Sequence, residues 1–208
     1  MKSYIIHFIR HGSIDDTLAG KYIGTTDAPL SDRGRMDLRK LDYEYKYPGT
    51  QVVFTSPLKR CTETAKILYP EQNPLVIDNL SECNFGEWEG KTADELKNDS
   101  DFKKWLAGDS SVKPPRGESN GDFTRRVCKM FESIVEGLMK TGTTESVIVT
   151  HGGVIMTLLA VYGLPQAKPF EWTMDNGFGY SLRVTPVLWQ RDKVCEVFQT
   201  IPLPSEND

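Results

Sequence analysis

Two of the three histidines in this 208-residue chain stand in the same setting. His11 closes an apolar run and is followed by glycine in "FIRHG", and His151 repeats that plan in "VIVTHGG". An imidazole has an ordinary pKa near ~6.5, so a neutral ring nitrogen is available as a nucleophile close to pH 7. Arg10 adjoins His11, and a guanidinium offers a fixed fork of donors that matches phosphate oxygens. Arg60, closing "SPLKR", can supply a second fork. Glu82, in "LSE", is the carboxyl best placed to protonate a leaving alkoxide, a contribution of roughly 10² to 10⁴ in rate. Such an acid needs a raised pKa, which a neighbouring phosphate dianion helps to supply. His151 can donate a hydrogen bond to phosphoryl oxygens, and the N-terminus of the helix after it turns partial positive charge to the same place. Gly12, Gly152 and Gly153 allow close backbone approach to a ligand. This set suits a phosphate monoester: His11 takes the phosphoryl group, splitting one hard displacement into two easier ones.

These groups must be carried to one place by the elements around them. Tyr4 to Ile9 reads as a strand buried on both faces, followed by a loop over residues 10–30. Ser31 caps a helix running to about Tyr45. Gln51 to Thr55 is a strand, and Ser56-Pro57 predicts an N-cap with proline at the first helical position and a helix to about Leu68. Leu75 to Ile77 is a third short strand. Thr92 with Glu95 forms a capping box. Phe123, Val127, Met130, Phe131, Ile134, Val135, Leu138 and Met139 mark one core-facing side of a long amphipathic helix. Ser146 to Thr150 is a strand and Val154 to Tyr162 a helix ended by Gly163 and Pro165. Residues 179–200 predict a strand and a hairpin turning near Arg191-Asp192-Lys193. Strands alternating with helices predict an α/β fold, a three-layer α/β/α sandwich with a mostly parallel central sheet. In such sheets ligands bind beyond the carboxyl ends of the strands, where Arg10-His11, Ser56 to Arg60, Glu82 and His151 all fall.

The length suits one domain, residues 1–208, with a small cap-like insertion at about 83–121. A net charge of −4 argues against a broad nucleic-acid footprint. The N-terminal apolar run is too short for a signal peptide, and no stretch of about 18 apolar residues predicts a membrane span. Cys61, Cys83, Cys128 and Cys195 lie far apart, which predicts reduced thiols and a cytoplasmic location. With only His11 and His151 at hand and no ligand-spaced carboxylates, neither a metal nor another cofactor is expected.

Six blocks in order, "FIRHG", "GTTDAPLSDRG", "VFTSPLKRCTETA", "LSECNFGEWEG", "PPRGES" and "VIVTHGG", resemble the histidine phosphatase superfamily in its phosphoglycerate-mutase-like branch. The resemblance spans about residues 4–162. It implies a phosphohistidine on His11, phosphate clamps at Arg10 and Arg60, a proton donor at Glu82, and a phosphate pocket completed by His151. It also implies a loop close to the substrate at Gly24. The family often has Glu and, further on, Asn after Arg-His-Gly; this chain has Ser13, Ile14 and Thr17 there. Thr17 then either contacts phosphate through its hydroxyl or leaves an oxygen to water or backbone.

The partner implied is a small-molecule phosphate ester, with no nucleic acid and no membrane; nothing in the sequence sets an oligomeric state. The compact segment between Glu82 and His151 resembles the family's phosphatases, α-ribazole phosphatases of cobalamin assembly and broad-specificity enzymes, more than its mutases. A phosphoglycerate mutase and a catalytically silent phospho-ligand binder are the alternatives. His7 reads as a core residue. Glu87 and Glu89 read as loop charges, with Glu87 the reserve acid. Arg33, Arg35, Arg39 and Lys40 read as a solvated helix face. Phe85, Trp88 and Trp105 wall a leaving-group pocket or pack the inserted segment. Asn176 is a ligand contact or a turn residue beside Gly177.

Overall fold

The structure is a computed structural model and describes residues 2–204. The apolar runs become strands β1 (Tyr4–Arg10), β2 (Tyr45–Lys46), β3 (Val52–Thr55), β4 (Leu75–Val76), β5 (Glu145–Thr150), β6 (Gly163–Leu164), β7 (Gly179–Val184), β8 (Cys195–Ile201) and β9 (Leu203–Pro204). Among the described residues seven of them form one sheet in the order β4-β3-β5-β1-β7-β8-β6, while β2 and β9 pair separately. In the seven-stranded sheet β7 runs antiparallel to both neighbours and the other pairings are parallel, while β2 and β9 are antiparallel to each other. The sandwich and its mostly parallel sheet are as the alternation of elements predicts.

Helices cover both faces because the strands alternate apolar side chains between them. On one side α1 (Asp32–Glu44) and α2 (Lys59–Leu68) pack on Ile9, Val53, Val147 and Val149. On the other, α5 (Asn120–Thr141) and α6 (Gly152–Tyr162) pack on Ile6, Phe8 and Ile148. Ser31 caps α1 by accepting from Gly34 N at 2.9 Å. Of the spaced apolar residues of α5, Phe123, Val127, Phe131, Ile134, Val135 and Leu138 are buried, each contributing about 1.5–3 kcal/mol of transfer free energy, Met130 and Met139 are half-buried, and Gly142 ends the helix at a φ of 76°. His7 is buried in β1 and shares a 2.8 Å hydrogen bond with Ser181, as expected of a core residue.

Two local expectations are corrected. Helix α2 begins at Lys59, with Leu58 as its cap residue, so Ser56-Pro57 does not start it. The Ser56 hydroxyl has a stronger use, since it is buried against His151. The segment near Arg191-Asp192-Lys193 is the end of a helix, α7 (Pro186–Asp192), that links β7 to β8. Pro186 is preorganised for its first turn, Trp189 is buried, and Lys193 ends it in a left-handed conformation.

The segment between Glu82 and α5 holds short helices α3 (Ala93–Leu96) and α4 (Ser100–Leu106). Thr92 and Glu95 form the expected capping box. Phe85, Trp88 and Trp105 pack against one another and against Tyr22 and Phe102, mostly edge to face, with centroids 5.2–6.1 Å apart. They are the core of this segment rather than a pocket wall. Glu87 pairs at the surface with Arg116.

Candidate active site

Register decides where the site forms. Arg10 lies opposite Thr150, and Thr55 opposite Val149, so the carboxyl ends of β1, β5 and β3 are level. His11 N donates to Thr150 O and Ser56 N to Val149 O, which continues the ladder one residue past each strand. His11 and His151 therefore meet edge to face, ring centroids 5.2 Å apart. The segment 174–177 braces the Arg10-His11 dipeptide. Met174 O accepts from Arg10 Nη1 at 2.8 Å, Asn176 Nδ2 donates to His11 O at 2.7 Å, and Gly177 N donates to Arg10 O. Gly177 sits at a φ of 83°, where a side chain would also crowd Leu41 and Leu38.

Hydrogen bonding fixes the state of each imidazole. His11 is 8% exposed, and its Nδ1 lies 2.7 Å from Gly12 O. A carbonyl only accepts, so Nδ1 carries the proton and Nε2 keeps its lone pair. Burial, with the charges of Arg60 and Arg10 behind it, lowers the His11 pKa to about 3. His151 is fully buried. Its Nδ1 accepts from Arg60 Nε at 3.2 Å, so Nε2 bears the hydrogen and donates to Ser56 Oγ at 2.8 Å. Burial pushes its pKa far below the ordinary imidazole value, helped by the nearby His11 and Arg60.

Arg60 is 1% exposed and is held from behind. Besides His151, it donates to Thr26 O at 2.7 Å and Gly24 O at 2.6 Å. That loop is itself gathered around the Glu89 carboxylate, which accepts from Gly24 N, Thr25 N, Thr26 Oγ1 and Phe85 N. Gly24 has no space for a side chain, since a Cβ would stand 1.8 Å from Cys83 O. Glu82 is half-buried. It accepts from Cys83 N and Gly153 N, each at 3.0 Å, yet burial outweighs those bonds and raises its pKa. Gly153 is required for that contact, because a Cβ there would come within 2.5 Å of Glu82 Oε1. From α5, Arg126 reaches back to the carbonyls of Asn79, Ser81 and Glu82 and holds the Glu82 turn against the sheet.

A cleft of about 490 Å³ opens above these groups, and Arg10, His11, Arg60, Glu82, Gly152 and Asn176 line it. The other expected residues stand elsewhere. His151 lies edge to face behind His11 with both nitrogens engaged by protein groups, and Gly24 supports Arg60 from outside the cleft lining. Thr17 gives its hydroxyl to Asp15 Oδ1 at 2.6 Å in a capped turn rather than to the cleft. None of residues 83–121 lines the cleft; the outer wall is built by residues 13–23 instead. Thr64, whose hydroxyl accepts from Gly12 N, and Ser56 lie in "VFTSPLKRCTETA" and Glu89 in "LSECNFGEWEG", but nothing in those blocks marks their hydrogen-bonding roles. The one available signal was the concentration of carboxylates in "FGEWEG". Among the described residues no three His, Cys, Asp or Glu side chains gather as a metal site, and no helix is long and apolar enough to cross a membrane.

The chain is similar to the adenosylcobalamin/alpha-ribazole phosphatase of Salmonella typhimurium, 25% identical over 198 residues that cover 93% of this chain and 92% of that one. It is also similar to phosphoserine phosphatase 1 of Hydrogenobacter thermophilus, 29% identical over 174 residues and 81% of each chain. Its fold is shared with the alpha-ribazole phosphatase from Shigella flexneri, at a TM-score of 0.78 and 23% identity over 98% of this chain and 100% of the other. The sequence model of the histidine phosphatase superfamily (branch 1) matches residues 6–195, a span that includes Arg10, His11, Arg60, Glu82 and His151, and the chain belongs to that superfamily.

Proposed function

We propose that the protein is a phosphatase that hydrolyses small-molecule phosphate monoesters through a phosphohistidine on His11, with α-ribazole 5′-phosphate as a candidate substrate. One observation carries this reading: the His11 Nδ1–H bond to Gly12 O leaves Nε2 unprotonated in the cleft that Arg10 and Glu82 share. In the first step Nε2 forms a bond to phosphorus while the ester P–O bond breaks. Glu82, whose pKa is raised, gives its proton to the departing alkoxide. In the second step the Glu82 carboxylate takes a proton from water, the water oxygen bonds to phosphorus, and the P–N bond breaks to return neutral His11 and orthophosphate. Arg10 neutralises the equatorial oxygens, and Arg60 adds a fixed positive charge from the cleft wall. Similarity to two proteins named as phosphatases favours hydrolysis over phosphoryl transfer, as does a cleft that residues 83–121 do not line.

The test is a panel of phosphate esters assayed with and without 2,3-bisphosphoglycerate, with alkaline quenching of radiolabelled ester. Phosphate release without isomerisation of 3-phosphoglycerate, together with label trapped on His11, is expected. Isomerisation without release would replace the phosphatase with a mutase, and label absent from a fully active enzyme would remove the intermediate.

A further inference from the structure

Once the phosphate groups are set aside, the cleft has a second half with a chemistry of its own. Ile14, Leu18, Ile23 and Met156 give it an apolar wall. Its remaining charged residues are Asp15, Asp16 and Lys21, two carboxylates against one ammonium. Asp15 is held ionised by the N–H and hydroxyl of Thr17, which lower its pKa. Lys21 lies within electrostatic range of Glu95, whose pKa is lowered first by the Thr92 hydrogen bonds and to a lesser degree by this ammonium. The two arginines are not available to a second anion. Arg60 is buried with three protein acceptors, and Arg10 is braced on Met174 O beside His11, where the phosphate dianion must sit. A leaving group that carried a carboxylate would therefore meet a net negative rim, two carboxylates against one ammonium. The apolar wall and the volume of about 490 Å³ suit a ring or other extended apolar body beside the phosphate.

Resting on the phosphatase reading, we infer that this cleft selects phosphate esters whose leaving group is uncharged or cationic with an apolar body, and turns away those that bear a carboxylate. Asp15 and Asp16 act as the filter and Met156, with the loop isoleucines, as the apolar contact. Three-carbon acid and amino-acid phosphates are then poor substrates, and esters of a neutral or basic ring-bearing alcohol are good ones.

Binding of non-hydrolysable phosphonates separates this selectivity from turnover. Benzylphosphonate, 4-carboxybenzylphosphonate and 4-(aminomethyl)benzylphosphonate are titrated calorimetrically against the full chain at low and high salt. The carboxylate analogue is expected to bind roughly three- to tenfold more weakly than the neutral one at low ionic strength, with the gap shrinking as salt screens the rim. The double variant Asp15→Asn, Asp16→Asn keeps the acceptor for Thr17 and is expected to narrow the ratio. Met156→Ala is expected to weaken all three analogues relative to orthophosphate. Equal or tighter binding of the carboxylate analogue, or a ratio unchanged in the double variant, overturns the inference. If the order of affinities holds while none of the matching esters is hydrolysed, the filter stands and the phosphatase reading falls. If the esters are hydrolysed with the order reversed, the filter alone falls.

Discussion

Arg60 and His151 hold each other in full burial: the guanidinium Nε–H donates to His151 Nδ1 over 3.2 Å, and neither residue is more than 1% exposed. The bond fixes three things together. It sets the His151 tautomer, it ties α2 to the turn after β5, and it keeps a positive charge close enough to His11 to lower that ring's pKa. The His11 imidazole is thus neutral because of its surroundings, and Arg60 and His151 are held in those surroundings by their own hydrogen bonds.

Replacing Arg60 should show this as a double loss. Arg60→Ala leaves Gly24 O, Thr26 O and His151 Nδ1 without a donor, so a stability loss of about 3–5 kcal/mol is expected. Orthophosphate and vanadate should inhibit more weakly as well. Arg60→Lys restores the charge but not the geometry, since an ammonium cannot reach three acceptors fixed for a planar fork. Denaturant unfolding and inhibition constants measured on both variants check this. Inhibition unchanged in either variant would place Arg60 outside the phosphate's influence.

Glu89 should matter to phosphate binding although it touches no ligand, because its carboxylate gathers the loop whose carbonyls hold Arg60. Glu89→Gln turns one acceptor into a donor facing backbone N–H groups, at a cost of about 1–3 kcal/mol. Weaker orthophosphate inhibition is expected with it. Trp105→Ala serves as the control, since it loosens the neighbouring aromatic cluster without entering this chain of bonds. Weakened inhibition in both variants alike would reduce the Glu89 effect to general destabilisation.

What could be read from the sequence follows a physical line. The strands, the long helix α5 and the residues just past the strand ends were legible because apolar periodicity and strand-end position report directly on the sheet. Roles that depend on which hydrogen bond wins were not. Ser56 before Pro57 has every mark of an N-cap, but the buried imidazole just past the neighbouring strand β5 is a better partner than the helix. Thr17 is expected to offer its hydroxyl to phosphate or leave that place to water or backbone, yet Asp15 sits two residues away and captures the hydroxyl. The hairpin expected at Arg191 is a short helix because Pro186 starts one and Trp189 buries it, whereas period-2 patterning in residues 179–200 gives no hint of the interruption. Asn176 is both a cleft residue and a brace for His11 O, a pairing that only the folded β1–β7 edge creates.

Stability should fall as the solution is acidified, and His11 should account for part of the slope. Its folded pKa of about 3 lies below the ordinary value of 6.5, so between the two the unfolded chain binds a proton that the folded chain does not. Unfolding is then favoured as pH drops through that window, by up to ~1.4 kcal/mol per pH unit for this one group. His151 acts in the same direction. Glu82, whose folded pKa is raised, opposes them above its unfolded value, because there the folded chain holds the extra proton. His7, also buried with its pKa lowered, adds a third contribution in the direction of His11 and His151, and His11→Asn removes one of the three. Urea unfolding at pH 7.5, 6 and 5 should show the variant gaining on the parent as pH falls. Parallel curves would mean that His11 is solvated enough to titrate normally.

Glu82→Gln should separate the two chemical steps. An amide cannot protonate an alkoxide, so esters with poor leaving groups should lose roughly 10²- to 10⁴-fold in the first step. The leaving group of p-nitrophenyl phosphate needs little protonation and should still depart. In the proposed mechanism the second step also relies on the Glu82 carboxylate, as the base that activates water. With p-nitrophenyl phosphate the variant should therefore release one equivalent of nitrophenol per site in a burst and then stall, with the phosphoryl group on His11. Rapid quench counts the burst, and alkaline trapping locates the label. Glu87 cannot take over, since it is paired with Arg116 at the surface and outside the cleft lining. Equal slowing of both esters in the first step, with no burst, would remove Glu82 from proton transfer to the leaving group.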